Sequence, residues 1–328
     1  MHGVALILGL ALTVSSAGAG QAPRDTAAAA GEVRLERFYS AALGVTKGYT
    51  IYLPAAYVAN PGRRFPVLYL LHGYSGNEGS WVTQGRADVI ADSVFATGVG
   101  PMILVMPDGD QSYWADWSTS PGTPCDAAAQ LGEAAATACA AQSRYGEYVL
   151  HDLTAAIDGR YRTVRDRRGR GIAGISAGGT GALVLALGAP DVYSAVAALS
   201  AVAVPLSTAD RRCGEPVHQA ASLQELEAAL GRPMPGWRMR WGADTTRWWR
   251  FDPGRAARRL AASGRRGPAI RLEAGAADPL TGGTCALAAL LDSLGLAPAL
   301  TVSPGAHDWT LWQARFGEVL SWFARVMT

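Results

Sequence analysis

The stretch Gly171-Ile172-Ala173-Gly174-Ile175-Ser176-Ala177-Gly178-Gly179-Thr180-Gly181-Ala182-Leu183-Val184-Leu185 decides how this chain folds. Its first five residues are small or apolar and read as a buried strand. From Gly179 onward the run Gly-Thr-Gly-Ala-Leu-Val-Leu-Ala-Leu can pack as a helix. Between them lies a Gly-x-Ser-x-Gly pentapeptide, Gly174 to Gly178. A serine on a sharp strand-to-helix turn is held in a strained conformation with its hydroxyl facing outward. The flanking positions are glycine because a side chain there would meet neighbouring backbone. Ser176 is therefore a candidate nucleophile, and the strand before it is a candidate member of a sheet.

Working outward, apolar runs and helical patterns alternate. Val33–Phe38 and Lys47–Leu53 alternate as antiparallel strands, with Leu43-Gly44 as the turn. Pro66–Leu71 and Met102–Met106 are continuous apolar runs, as in strands covered on both faces. Tyr148–Tyr161 reads as a helix presenting Val149, Leu153, Ile157 and Tyr161 on one face. Further strands are expected at Val196–Ser200, Ala269–Ala274 and Ala299–Ser303, and a last helix at Thr310–Val326. This rhythm predicts an α/β fold. Its central sheet is mostly parallel, with an antiparallel N-terminal edge and helices on both faces. Residues 32–328 form one domain in this reading. Segments at about 111–144 and 211–250 break the rhythm and read as insertions.

With 328 residues, 49% hydrophobic and 17% charged, the chain can bury a large core. A net charge of +2 is too small to imply a nucleic-acid partner. The arginine-rich runs Arg165–Arg170 and Arg255–Arg266 lack interleaved aromatics and read as solvated faces. No zinc-type Cys/His spacing, phosphate-binding loop or dinucleotide fingerprint is present, so neither a metal nor a cofactor is expected. Residues 1–19 read as a secretory signal peptide, with Ala17-Gly18-Ala19 as its cleavage site. The segment is too short for a stable membrane span, and 20–31 reads as a flexible lead-in. A secreted or periplasmic protein follows. Four cysteines in such a chain suggest disulfides and allow three pairings; Cys125–Cys139 and Cys213–Cys285 are the pairing expected.

A serine hydroxyl needs a base to take its proton and a carboxylate to orient that base. Behind an elbow of this type the chain order is serine, acid, histidine. Downstream of Ser176 stand only His218 and His307. His307 follows a predicted strand on the loop Pro304-Gly305-Ala306, whereas His218 lies in a polar irregular stretch. Asp278 follows the preceding strand on Gly275-Ala276-Ala277, at the carboxyl edge where open sheets keep their reactive groups. Asp308 is the sequence neighbour of His307 and is poorly placed to bond it, while Glu273 lies within a strand. The backbone N–H groups of Ala177 and Tyr74 are the expected oxyanion donors, the latter on the glycine-bearing loop Leu71–Gly76.

Together, Val67–Gly73, Met106-Pro107-Asp108-Gly109, Gly174–Gly179, Pro190–Tyr193 with Ala198-Leu199-Ser200, Gly275–Asp278 and Pro304–Trp309 resemble the esterase D and antigen 85 type of α/β-hydrolase. That family includes feruloyl, acetyl-xylan and short-chain acyl esterases, S-formylglutathione hydrolase and mycolyltransferases. The resemblance implies Ser176, His307 and Asp278 as catalytic triad, a serine esterase activity and a small-molecule or polysaccharide-linked ester as substrate. Trp81, Trp114, Trp117 and Trp309 are the expected substrate-binding residues. Two alternatives have other outcomes: acyl transfer to a non-water acceptor, and a carbohydrate-binding module on a hydrolase scaffold, to which the tryptophans at 237, 241, 248 and 249 would contribute.

Overall fold

The computed structural model describes residues 30–110, 112–116, 144–201, 207–208, 212–215, 218–219, 221–230 and 251–327. An eight-stranded sheet runs in the order β1-β2-β4-β3-β5-β6-β9-β10. Its strands are β1 (Glu32–Ser40), β2 (Val45–Leu53), β3 (Val67–Leu71), β4 (Ile103–Pro107), β5 (Arg170–Ile175), β6 (Ala195–Leu199), β9 (Ala269–Gly275) and β10 (Ala299–Ser303). β7 (Ser207–Thr208) and β8 (His218–Gln219) form a separate short antiparallel pair. β1–β2 and β2–β4 are antiparallel, and every pairing from β4 through β10 is parallel. The parallel sheet with an antiparallel N-terminal edge is thus as the sequence predicted. Gly44 closes the β1–β2 turn at φ 67°, in the left-handed region that glycine enters at no steric cost.

Strand alternation divides the core in two. Val67, Tyr69 and Leu71 of β3 face one side with Val149, Leu153, Ile157 and Leu183. Leu68 and Leu70 face the other with Ala87, Ala91, Phe316, Leu320 and Phe323. All five residues of β3, β4 and β6 are buried, which is why these strands read as unbroken apolar runs. The first face is covered by α4 (Tyr145–Glu147), α5 (Thr154–Arg160), α6 (Ala177–Gly188), α8 (Pro253–Ser263) and α9 (Thr281–Ser293); the second by α3 (Ala87–Ala96) and α10 (Trp309–Val326). The short helices α1 (Ala55–Ala59), α2 (Ser80–Thr83) and α7 (Leu223–Leu230) are also among the described residues. Among the described residues, no helix is long and apolar enough to cross a membrane.

The helix expected at Tyr148–Tyr161 is instead composite. It opens at Tyr145, passes through a π-helical turn at Tyr148–Leu153 and continues as α5. The Thr154 hydroxyl donates to the Val149 carbonyl five residues back, which supports the wider turn. The first insertion begins and ends at one place: Asp116 and Arg144 pair as an isolated antiparallel bridge. Residues 117–143 and 231–250 lie outside the described residues, as do the expected signal peptide and Cys125 and Cys139. Cys213 and Cys285 are disulfide-bonded, with Cα atoms 5.3 Å apart, tying the second insertion to α9.

Candidate active site

Four loops at the carboxyl ends of parallel strands meet at one rim of the sheet. They leave β3 at Leu71, β5 at Ile175, β9 at Gly275 and β10 at Ser303. Ser176 sits between β5 and α6 with φ 51° and ψ −121°, a conformation rare for a residue with a side chain. Its N–H donates to the Leu199 carbonyl at 2.9 Å, pinning the turn to β6. The neighbouring glycines are required by contact. A Cβ on Gly174 would lie 2.3 Å from the Gly178 backbone, and one on Gly178 would lie 2.3 Å from the His72 carbonyl oxygen.

The β9 and β10 loops are packed equally closely. A Cβ on Gly275 would fall 2.4 Å from the Gly305 carbonyl oxygen, and the Ala277 N–H donates to that same oxygen at 2.9 Å. This apposition sets Asp278 and His307 beside each other. His307 Nδ1 is 3.0 Å from Asp278 Oδ2, and His307 Nε2 is 2.9 Å from Ser176 Oγ. Asp278 is fully buried. Burial alone would push its carboxyl up, but hydrogen bonds from His307 and the Leu280 N–H outweigh it and hold the group below the usual carboxylate range. An ionised carboxylate only accepts, so Nδ1 carries the imidazole hydrogen and Nε2 presents its lone pair to the Ser176 O–H.

Asp308, the rival acid, has another task. It is the N-cap of α10, and its Oδ1 accepts the Leu311 N–H at 3.1 Å. Glu273 is bound by Arg271 and Arg315 at 2.5 and 2.9 Å, away from His307. The side chain of His218 lies outside what the structure describes.

The β3 loop runs alongside the serine. A Cβ on Gly73 would be 3.4 Å from Ser176 Cβ, so the Gly73 backbone passes the serine at close range. Ala177 opens α6, where the first N–H groups lack intrahelical acceptors. His72 anchors this loop. Its Nδ1–H donates to the Gly73 carbonyl at 2.8 Å and its Nε2 accepts the Gly109 N–H at 3.0 Å. Burial holds its imidazole below the ordinary value of 6.5, hence neutral. Beyond Gly109, Lys47 clamps Asp108 and Asp110 at 2.5 and 2.8 Å, fixing the end of β4. Nothing in the sequence pattern singled out Lys47, because the pairing depends on the antiparallel β2–β4 register.

A cavity of about 440 Å³ opens over Ser176 and His307, lined among others by Tyr74, Ser80, Gln84, Trp309 and Trp312. Trp309 lies in this lining. Trp81 and Trp114 are not in this lining. Trp81 is buried beneath it, its ring centroid 5.6 Å from Trp309 and 5.0 Å from Phe316. Trp114 is also buried, with its indole N–H donating to the His72 carbonyl and its ring centroid 4.9 Å from His72. Both expectations are corrected: large apolar faces at these positions fill the core and support the loops instead of meeting solvent. Trp117 lies outside the described residues.

Residues 40–323 match the model of the "Putative esterase" family. The chain belongs to this esterase family. Among its relatives, an endo-1,4-beta-xylanase/feruloyl esterase of Xylanibacter ruminicola is 29% identical over 167 residues, half of this chain but 20% of that protein. Esterase Rv1288 of Mycobacterium tuberculosis is 31% identical over 150 residues, 45% of this chain and 27% of that protein. The chain thus spans under a third of the length of these curated relatives. In structure it is similar to a ferulic acid esterase (TM-score 0.68, 22% identity), with 90% of this chain and 99% of the other covered. It also resembles an S-formylglutathione hydrolase from Staphylococcus aureus (TM-score 0.65, 18% identity), with 90% and 100% covered. The fold of this family member is that of the α/β-hydrolase esterases.

Proposed function

We propose that the chain is a serine carboxylic-ester hydrolase that works through an acyl-enzyme. The observation that carries this reading is the unbroken hydrogen-bond line from Ser176 Oγ through the His307 ring to Asp278, 2.9 and 3.0 Å long. Ser176 attacks the ester carbonyl as His307 Nε2 takes its proton. Asp278 fixes the imidazole tautomer and stabilises the imidazolium. The N–H groups of Tyr74 and Ala177 receive the oxyanion, each such donor contributing about 3 kcal/mol in serine hydrolases. His307 then protonates the leaving alcohol. The same residues activate water to release the acid.

The substrate is a small-molecule or polysaccharide-linked ester, a class in keeping with the feruloyl esterase names among the relatives. Planar faces at Tyr74 and Trp309 line the cavity and suit an unsaturated or aromatic acyl group. Export to an oxidising compartment, through the signal peptide at 1–19, is favoured by the Cys213–Cys285 bridge. The line of hydrogen bonds favours an active enzyme over a binding module on a hydrolase scaffold.

Ser176→Ala is expected to lower turnover of a p-nitrophenyl ester by several orders of magnitude while the protein stays folded, and to abolish labelling by a fluorophosphonate probe. Parental turnover in that variant would overturn the assignment. An ester panel varying acyl length and aromaticity, with a sugar acceptor added in parallel, separates hydrolysis from acyl transfer.

A further inference from the structure

Among the described residues the Tyr74 N–H has no hydrogen-bond acceptor, and Tyr74 and Ser176 line the same cavity. The peptide joining Gly73 to Tyr74 is planar and trans, so its C=O and N–H point in opposite directions. Whatever holds the Gly73 carbonyl therefore sets the direction of the Tyr74 N–H. Two donors hold it. The Gly76 N–H reaches it at 3.1 Å and closes the turn, and His72 Nδ1 reaches it at 2.8 Å. The imidazole is itself fixed from behind. The Gly109 N–H at 3.0 Å can only donate, so Nε2 is the acceptor and the ring hydrogen stays on Nδ1. The Trp114 indole N–H donates to the His72 carbonyl at 3.1 Å. Gly76 lies against the ring, where a Cβ would fall 2.9 Å from His72 Nδ1. The ring is buried and lies behind the cavity lining. The Gly73 carbonyl thus turns inward to the ring, and the N–H on the opposite side of that peptide turns outward to the cavity.

We propose that His72 is a positioning residue: its Nδ1–H holds the Gly73–Tyr74 peptide plane and so aims the Tyr74 N–H at the oxyanion formed during attack by Ser176. The proposal rests on the hydrolase reading above. The imidazole acts through one peptide group and not on the reacting atoms. A donor preset toward charge that develops only in the transition state raises kcat and leaves ground-state binding alone.

Two amides separate the roles of the two ring nitrogens. His72→Asn places an amide N–H where Nδ1 stands and loses the acceptor for Gly109. His72→Gln places an amide oxygen where Nε2 stands and loses the donor to Gly73. Each variant gives up one of the two ring bonds, so a purely structural role predicts that kcat follows melting temperature in both. Positioning predicts a kcat for a p-nitrophenyl ester lower by roughly ten- to a hundredfold in His72→Gln, with KM unchanged. Fluorophosphonate labelling should slow in step, because the phosphonyl oxygen takes the place of the oxyanion. His72→Asn should recover most of that kcat. Parental kcat in His72→Gln, or an equal fall in the two variants, would overturn the role of His72 and leave the hydrolase reading intact. The parent supplies a measurement that needs no variant to fold: its fluorophosphonate adduct should move the Tyr74 amide proton downfield, and an unmoved resonance would also sink the proposal. A parent without ester turnover or fluorophosphonate labelling overturns both readings.

Discussion

At the scale of single residues, Ser176 and His72 show opposite uses of burial. Ser176 is only partly covered and carries its strain in the backbone, at φ 51°. His72 is almost wholly buried, with both ring nitrogens bonded, and its charge is excluded by desolvation. A histidine depressed in the folded state binds fewer protons than the unfolded chain. Its contribution to stability is complete above the ordinary value of 6.5 and is lost as pH falls through the folded value. The melting temperature is therefore expected to decline from about pH 6.5 downward. Replacing His72 by Asn should lower the melting temperature at neutral pH and flatten that decline. A slope unchanged by the substitution would refute the assignment. Asp278, held below the usual carboxylate range, acts in a lower window: its contribution is present above the ordinary value of 3.8 and fades as pH falls through the folded one.

At the scale of elements, α6 is positioned by glycine. It is apolar nearly all round, so hydrophobic contact holds it to the sheet without fixing its distance. The distance is fixed where Gly178 meets the Leu71 and His72 carbonyls. Gly178→Ala must push the helix away from β3 and is expected to cost about 3 kcal/mol, with the loop after β3 displaced and ester turnover lost. Gly188, at the other end of the same helix, has open space where a Cβ would go. Gly188→Ala should be neutral or stabilise by up to about 1 kcal/mol through helix propensity. Chemical denaturation of the two variants checks the contrast, and equal effects would contradict it. Element identity was legible here because strand and helix periodicities are local properties. The Tyr148–Leu153 π turn was not legible, since it rests on one threonine back-bond within an otherwise ordinary amphipathic pattern. Asp308, adjacent to His307 in sequence, is turned instead to the Leu311 N–H, which it caps.

At the scale of the whole molecule, the Cys213–Cys285 bridge closes a loop of sequence separation 72 around the second insertion and α8. Loop-closure entropy puts its stabilisation at about 4 kcal/mol. Thermal unfolding with and without a reductant should differ accordingly, and identical melting temperatures would show that the bridge constrains nothing. The sequence by itself determined the strand and helix order, the glycine-flanked turn at Ser176 and the loops that carry Asp278 and His307, because each is written in a local pattern of apolar period, glycine and turn chemistry. Only the tertiary structure decided that Trp81 and Trp114 are buried beneath the site loops, that Lys47 clamps the end of β4, and that Trp312 stands edge-on to His307 with its N–H on Ser200. Those roles depend on which strands become neighbours and how closely their backbones approach, and residues joined across a sheet leave no trace in the spacing of the chain.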